Sequence, residues 1–241
     1  MNENEKQAIL DQVKKWWRES VFENHVKNTE KLVNPKEFNI NPFSVIYLSN
    51  FLTGNSSPES IARALILPRV LGTSISTTIG DKMQSFTSEV LGAFGSTTSG
   101  IDIEFTDAID QRKKYCQLKL GPTTLNKGDV ETITRQFDSI RRLASTNNLA
   151  IMQSDLVVGV LYGNKKNLSG HYKKIENTHH FPVYAGEDFW VRLTGDVSFY
   201  SDIASAIASV AIEANFSVKL ESIIQTLAQS DEIKELSKKG L

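Results

Sequence analysis

The 241-residue sequence lacks the features that mark secreted, membrane-spanning or zinc-cluster proteins. Its single cysteine, Cys116, cannot form an internal disulfide and excludes zinc sites built from several cysteines. No apolar run approaches the ~20 residues that a membrane-spanning helix needs. The N-terminal stretch is acidic and rich in amides, whereas a signal peptide begins with basic residues followed by an apolar run. These absences predict a cytoplasmic protein without a membrane span, in which Cys116 is a buried strand residue.

The chain also has almost no net charge, −1, but its charged residues are unevenly distributed along the sequence. Residues 111–174 contain twelve Lys or Arg and four Asp or Glu, which gives this segment +8 and leaves −9 for the rest of the chain. A locally positive cleft is what binding to nucleic-acid phosphates requires. A solvated basic surface without a partner explains the same numbers equally well.

Apolar periodicity predicts a helical N-terminal portion. Apolar residues recur every three or four positions from Glu3 to about Leu32, and further helices are expected at 43–53, 58–67 and roughly 78–91. Pro68 should end or kink the helix at 58–67, because proline lacks the N–H that a helix interior uses.

The middle of the chain carries the strand patterns. Residues 101–106 and 114–120 alternate in polarity around a polar turn, which predicts a β-hairpin. The continuous apolar run at 155–162 is typical of a central strand covered on both faces. The other expected elements are a helix at 128–144, a strand within 180–186, and helices at 199–214 and 217–238. This order predicts a mixed α/β fold, with a mixed β-sheet flanked by helices.

One constellation in the hairpin points to chemistry. Asp102 is followed, after fourteen residues, by Gln117-Leu118-Lys119. Strand side chains repeat every two residues, so Gln117 and Lys119 share a face, and a hairpin can bring Asp102 to that face. A carboxylate, an amide oxygen and a main-chain carbonyl, the last from Leu118, form an oxygen-rich site that suits Mg²⁺, for which Mn²⁺ can substitute. The pattern predicts phosphodiester hydrolysis by a metal-activated water.

Each residue then has an expected role. Asp102 is the principal metal ligand, Gln117 offers a neutral oxygen, and Lys119 holds or helps deprotonate the attacking water. Because a glutamine lowers the negative charge of the site, another carboxylate is expected to compensate. Glu104, on the same strand face, and Glu89, on the preceding helix, are both candidates, and the sequence does not choose between them.

Several segments around this constellation resemble type II restriction endonucleases of the PD-(D/E)xK superfamily, in particular enzymes that cut interrupted GGNCC-type sites. The resemblance covers roughly residues 10–195, in matching order and spacing. Its most specific parts are the LPRVLG, CQLKLG and YAGEDFW blocks, and it extends to NPF, GIDIEF and VVGVLYGN. It implies one restriction-endonuclease-like domain over 1–241, with a helical portion (about 1–95), a catalytic core (about 96–195) and C-terminal helices (about 196–241).

The resemblance also implies partners and site residues. It implies a homodimer on double-stranded DNA, because a palindromic target mirrors two-fold protein symmetry. Asp102 and Lys119 fall on the catalytic acid and lysine. The residues expected to hold DNA phosphates are Thr123, Thr124, Asn126 and Lys127 at a helix start, and Lys165 and Lys166 in a later loop. Helix capping by the Thr and Asn side chains, and solvation of the lysines, remain open alternatives.

Two other functions remain open at this point. A repair or junction-resolving nuclease could use the same fold and metal site, and a catalytically silent DNA-binding module could keep the hairpin as a scaffold. A nucleotide cofactor is not expected, because Gly159 and Gly163 lack the spacing of a phosphate-binding loop.

Overall fold

The computed structural model describes residues 2–239, apart from the side chains at 73, 74, 76, 77, 83 and 84. The chain forms two compact units. The first comprises the residues up to Val13 together with Met83–Ala206, and the second comprises Lys14–Lys82 and the residues from Ile207 onward. The expectation of a single domain over 1–241 stays a prediction.

The first unit contains a four-stranded mixed sheet, as the sequence predicts. Its strands are β1 (Ile103–Thr106), β2 (Lys113–Lys119), β3 (Leu156–Val160) and β4 (Val183–Ala185), in the order β1-β2-β3-β4. β1 and β2 are antiparallel, which confirms the predicted hairpin, and β2, β3 and β4 run parallel. Every residue of β3 is buried, as expected for a central strand covered on both faces.

Among the described residues, six helices lie wholly or mostly in the first unit or are shared with the second: α1 (Glu3–Trp16), which ends in the second unit, α6 (Met83–Glu89), α7 (Lys127–Thr146), α8 (Gly170–Asn177), α9 (Glu187–Thr194) and α10 (Phe199–Ala214), which continues into the second unit. α7 begins at a capping box, in which Asn126 and Asp129 each accept a hydrogen bond from the other's backbone N–H. Its apolar face packs into one core with β3 and α8, through Ile133, Phe137, Val158 and Tyr172 among others. This packing fixes α7 against the sheet.

The second unit is helical. Besides the last residues of α1 and the second half of α10, it contains α2 (Glu23–Glu30), α3 (Pro42–Thr53), α4 (Pro58–Pro68), α5 (Ser74–Asp81), α11 (Ser217–Ala228) and α12 (Asp231–Lys239). α4 is central, because Ile61 and Ile66 are fully buried against Ile224 and Leu227 of α11. α4 ends at Pro68, as predicted, but the chain continues into a π-helical turn rather than a loop.

Some predicted boundaries were wrong. The helix expected at 78–91 is two helices, α5 and α6, and the one expected at 217–238 divides into α11 and α12. α8 and α9 were not predicted. Cys116 is fully buried in β2, which confirms its predicted place. Among residues 2–239 no single helix is long and apolar enough to cross a membrane, although the bent pair α9 and α10 meets the length and composition criteria together.

Candidate active site

The hairpin places Asp102 directly beside β2. Ile103 pairs with Cys116, so Asp102, one residue earlier, lies across from Gln117. The Asp102 backbone N–H donates to the Cys116 carbonyl at 3.0 Å. Its carboxylate Oδ2 accepts a hydrogen bond from the Leu118 backbone N–H at 2.7 Å. The carboxylate is therefore held against the β2 backbone by a defined contact, which leaves Oδ1 for another partner.

The local environment of Asp102 shifts the pKa of its carboxyl group. Desolvation by the surrounding protein raises its pKa above the ordinary value, although the residue keeps substantial exposed surface. The Leu118 N–H and the nearby charge of Lys119 oppose this rise. A carboxylate whose hydration is reduced in this way gains more from a bound cation than one surrounded by water.

The Leu118 main chain offers a second oxygen on the same side. In a strand, the N–H and C=O of one residue point the same way and alternate between neighbours. The Leu118 N–H points to Asp102, so its carbonyl faces the β1 side as well. β1 begins only at Ile103, and Leu118 therefore lies past the last strand pair between β1 and β2.

Asp102, Leu118 and Lys119 line one cavity of about 590 Å³ in the first unit. Lys119 is partly exposed and its Nζ lies 4.0 Å from Asp129 Oδ1, near the start of α7. The other lining residues are small or polar ones from α6 and the loop after it, together with Ile101: Thr87, Ser88, Gly92, Gly95 and Ser96. Asp102 is the one acidic residue among these described lining residues. The cavity thus combines one carboxylate, one ammonium group and exposed main-chain atoms.

Gln117 makes hydrogen bonds that its expected role does not include. It is 7% exposed and does not line the described part of the cavity. Its Nε2 donates to the Gly100 carbonyl at 2.6 Å and to Gln136 Oε1 of α7. Gly100 has φ +81°, a conformation that favours glycine, and a Cβ there would lie 2.9 Å from the Gln136 side chain. The two glutamines therefore hold the turn that leads into Asp102.

Glu104 is occupied by other partners. Its Oε1 accepts hydrogen bonds from Ser96 Oγ at 2.6 Å and Thr98 Oγ1 at 2.8 Å, and Oε2 lies 2.5 Å from Lys113 Nζ. Burial raises the pKa of Glu104, but the hydrogen bonds from Lys113, Ser96 and Thr98 outweigh that effect and hold it below its ordinary value. Glu104 thus ties the loop after α6 to β1.

Glu89 is the last residue of α6 and is exposed. It is not among the described cavity-lining residues, although its neighbours Thr87 and Ser88 are. The structure therefore brings Asp102, Leu118 and Lys119 together and leaves Gln117, Glu104 and Glu89 around them. In the described part of the chain, no group of three or more His, Cys, Asp or Glu side chains could hold a metal ion.

Four of the residues expected to hold phosphate follow Lys119 closely in sequence, and two of these side chains have local partners. Thr124 Oγ1 contacts the Gly121 carbonyl at 2.9 Å and the Tyr172 hydroxyl at 3.1 Å. Asn126 is the N-cap of α7, so the capping alternative holds for this residue. Thr123 and Lys127 are exposed at the same helix start.

The two later lysines lie in an exposed loop after β3. Lys165 Nζ is 2.6 Å from Glu176 Oε1 of α8, while Lys166 is exposed in a short 3₁₀ turn capped by Asn164. Both ammonium groups remain on the protein surface, and such exposed pairs contribute little to stability.

Sequence reasoning missed Gln136, Ser96 and Thr98. Gln136 lies on the predicted helix at 128–144, but the apolar periodicity of that helix does not indicate which of its polar residues faces the hairpin. Ser96 and Thr98 belong to a stretch of small polar residues that reads only as a loop. Their hydrogen bonds depend on how the loop and α7 pack, which no local pattern encodes.

A model of a known protein family matches this chain. The model of a family described as type II restriction endonuclease EcoO109I matches residues 50–215, well over half of the chain. The matched region contains the hairpin, the cavity and α7. A comparison with curated proteins returned no match.

Proposed function

Because the chain belongs to the type II restriction endonuclease family that includes EcoO109I, and so to the site-specific DNA nucleases, we propose that its cavity hydrolyses DNA phosphodiester bonds by a PD-(D/E)xK mechanism. The observation that carries the proposal is the meeting of Asp102, Leu118 and Lys119 in one cavity at the open end of the hairpin. An acid just before β1 and a lysine at the end of β2 are the residue types that this chemistry requires.

The donor set fits Mg²⁺, with Mn²⁺ as a substitute. Mg²⁺ prefers oxygen ligands, keeps several waters and commonly uses one or two protein carboxylates together with substrate phosphate. Asp102 Oδ1 and the Leu118 carbonyl are such oxygens on two residues that line the same cavity, and a single carboxylate among its described lining residues leaves coordination positions for water. When bound, the ion supplies polarisation of the scissile phosphate and acidification of a water.

Each of three protein residues has a separate role in the proposed reaction. Asp102 binds the cation while the Leu118 N–H fixes its second oxygen. Lys119 orients the attacking water. Its neutral amine takes the proton of that water, and the ammonium group formed in this way offsets the negative charge that develops on the phosphate. Gln117 acts as a positioning residue through its bonds to Gly100 and Gln136, and its free Oε1 is the only atom of that amide suited to a cation.

The substrate proposed is duplex DNA with a short, GC-rich, near-palindromic site of the GGNCC type, cut by a homodimer. The LPRVLG, CQLKLG and YAGEDFW blocks support this class of recognition site. The +8 segment at 111–174 supports a basic channel that binds DNA phosphates. Thr123, Thr124, Lys127, Lys165 and Lys166 are proposed as phosphate contacts. Asn126 contributes through the α7 N-terminus that it caps.

The proposal is tested by cleavage of phage DNA in different metal ions. We expect discrete fragments in Mg²⁺ or Mn²⁺ and no cutting in Ca²⁺ or EDTA, because Ca²⁺ can occupy an oxygen site while activating water poorly. Cutting at full rate in EDTA contradicts the metal mechanism. Cutting confined to mismatched or branched DNA would instead identify a repair or junction-resolving enzyme, and DNA binding without cleavage would identify a silent module.

The glutamine pair yields a second prediction. Gln136→Leu removes the acceptor for Gln117 Nε2 and loosens the turn before Asp102. We expect the Mg²⁺ concentration for half-maximal cleavage to rise about 10-fold or more, as for other residues that support metal ligands. Gln136→Glu, which retains an accepting oxygen, should recover most of the wild-type affinity. A metal titration of cleavage, with melting temperature measured in parallel, decides it: equal metal dependence in all three proteins refutes the positioning role.

A further inference from the structure

Helix α3 exposes an unusually apolar face. Its sequence, PFSVIYLSNFLT, contains no charged residue, and it buries only Val45 and Ser49. Phe43, Phe51 and Tyr47 are 88%, 78% and 65% exposed, and Leu48 and Leu52 are also exposed. Tyr47 and Phe51 stack on each other with ring centroids 6.1 Å apart. We call Phe43, Tyr47, Leu48, Phe51 and Leu52 the α3 face.

A groove borders the α3 face within the second unit. It has a volume of about 300 Å³ and is lined by apolar residues of α3, α4 and the turn after α4: Leu48, Phe51, Leu52, Ala64, Leu67, Pro68 and Leu71. A cavity of ~150 Å³ already accommodates benzene. The groove therefore has room for an aromatic side chain from a partner.

The size of the apolar surface exceeds what a monomer usually exposes. At about 200 Å² per aromatic side chain, the exposed parts of Phe43, Tyr47 and Phe51 amount to roughly 450 Å². The exposed leucines, including Leu71, bring the total toward the ~800 Å² per partner that a stable interface buries. The largest apolar patch on a typical monomer is about 300–600 Å².

A second copy of this chain fits this surface. A two-fold interface brings the same patch from both copies together, so the patch must be self-complementary. The α3 face meets that condition, because it carries no charge to repel its own copy and presents both projecting rings and a groove that can receive a ring. A partner with a charged surface would instead lose hydration at this apolar face without gaining a counter-charge.

We propose that the α3 face, with the adjoining groove, is the surface through which two copies of this chain associate. This inference rests on the homodimer in the proposed function and specifies its interface. It places the contact in the helical second unit, separate from the residues of the cavity that contains Asp102.

The experiment compares a double variant of the full chain, Tyr47→Glu with Phe51→Glu, with a control variant, Ile212→Glu with Val218→Glu. The control residues are 77% and 71% exposed in the same unit but lie on α10 and α11. Sedimentation over a concentration series should show a dimeric wild type, a dimer dissociation constant raised at least 100-fold in the α3 variant, and less than 3-fold in the control. Melting temperatures check that all three proteins fold.

A cross-linking measurement covers the case in which the charged variant fails to fold. Tyr47→Cys should give a covalent dimer with a short thiol cross-linker, whereas the wild type should not, because Cys116 is fully buried. An α3 variant that stays dimeric, a control that dissociates equally, or absence of cross-linking overturns the proposed interface. A monomeric wild type that still cuts DNA overturns it while leaving the nuclease proposal intact. A dimer that dissociates as expected but never cuts DNA supports the interface and counts against the nuclease.

Discussion

Asp102→Asn is expected to lower the rate of DNA cleavage by more than ~10³-fold, a loss of at least about 4 kcal/mol of transition-state stabilisation. The amide can still accept the hydrogen bond from the Leu118 N–H, so the local fold should persist. What disappears is the one carboxylate among the described residues that line the cavity. Single-turnover cleavage, with melting temperature measured on the same samples, separates lost chemistry from lost folding.

The same experiment tests Lys119→Met. This variant should also cut DNA more slowly, because loss of the lysine removes both a proton-transfer group and a positive charge. An effect of ~10²–10⁴-fold is expected for a general acid or base. Gln117→Ala should retain more activity than either variant, because it removes a neutral group that holds the turn rather than a charged one. If Lys119→Met cuts at the wild-type rate, the assignment of the lysine is wrong.

The same cleavage assay tests which second carboxylate, Glu104 or Glu89, serves the metal site. Both oxygens of Glu104 are already bound to Ser96, Thr98 and Lys113, so Glu104→Gln should disturb the loop more than the metal. Glu89 is exposed at the end of α6, beside residues that line the cavity. A larger loss of cleavage in Glu89→Gln than in Glu104→Gln would identify Glu89 as the additional acid.

The hairpin and β3 could be predicted because their signals are local. Alternation over a few residues decides which side chains share a face, and an unbroken apolar run decides that both faces are covered. That reasoning was enough to bring Asp102 toward β2 and to place Lys119 on the same face. It did not predict the hydrogen bonds of Gln117, because these depend on Gln136, nineteen residues later on a helix whose docking is a tertiary event.

Short helices and the division into units had no comparable signal. α8 and α9 are eight residues each, too short for periodicity to stand out from chance. The chain passes between the units inside α1, between α5 and α6, and inside α10, and no glycine-rich or proline-rich linker marks these points. The exposed α3 face was also unpredictable, because apolar residues in a helix normally indicate burial.

The second large effect concerns stability rather than chemistry. The Lys114 side chain is fully buried in β2, and its Nζ lies 2.6 Å from Asp110 Oδ2, 3.2 Å from the Ser154 carbonyl and 3.4 Å from Asp155 Oδ1. Asp155 is 2% exposed and also accepts hydrogen bonds from Arg112 and from the Met152 N–H. Removing one charge from a buried pair leaves the other uncompensated, which costs about 3–5 kcal/mol.

Asp155→Asn is therefore expected to destabilise the protein by ~3 kcal/mol or more at pH 7, measured by urea unfolding. Glu213→Gln is the matched control, because it makes the same acid-to-amide change in the exposed pair with Arg18, where an effect below ~1 kcal/mol is expected. Equal effects in the two variants would show that the buried pair contributes no more than a surface one.

The difference between wild type and Asp155→Asn should also depend on pH. Burial raises the pKa of Asp155. The hydrogen bonds that it accepts from Arg112 and the Met152 N–H, together with the charges of Arg112 and Lys114, outweigh this effect and hold the pKa below its ordinary value. A carboxyl whose pKa is lower when folded contributes stability above the unfolded value of about 4, and that contribution is lost as the pH falls through the folded pKa. The gap in unfolding free energy should thus be constant from pH 7 to about pH 5 and narrow below pH 4. A gap that stays the same at pH 3 would mean that the charge of Asp155 is not what stabilises the fold.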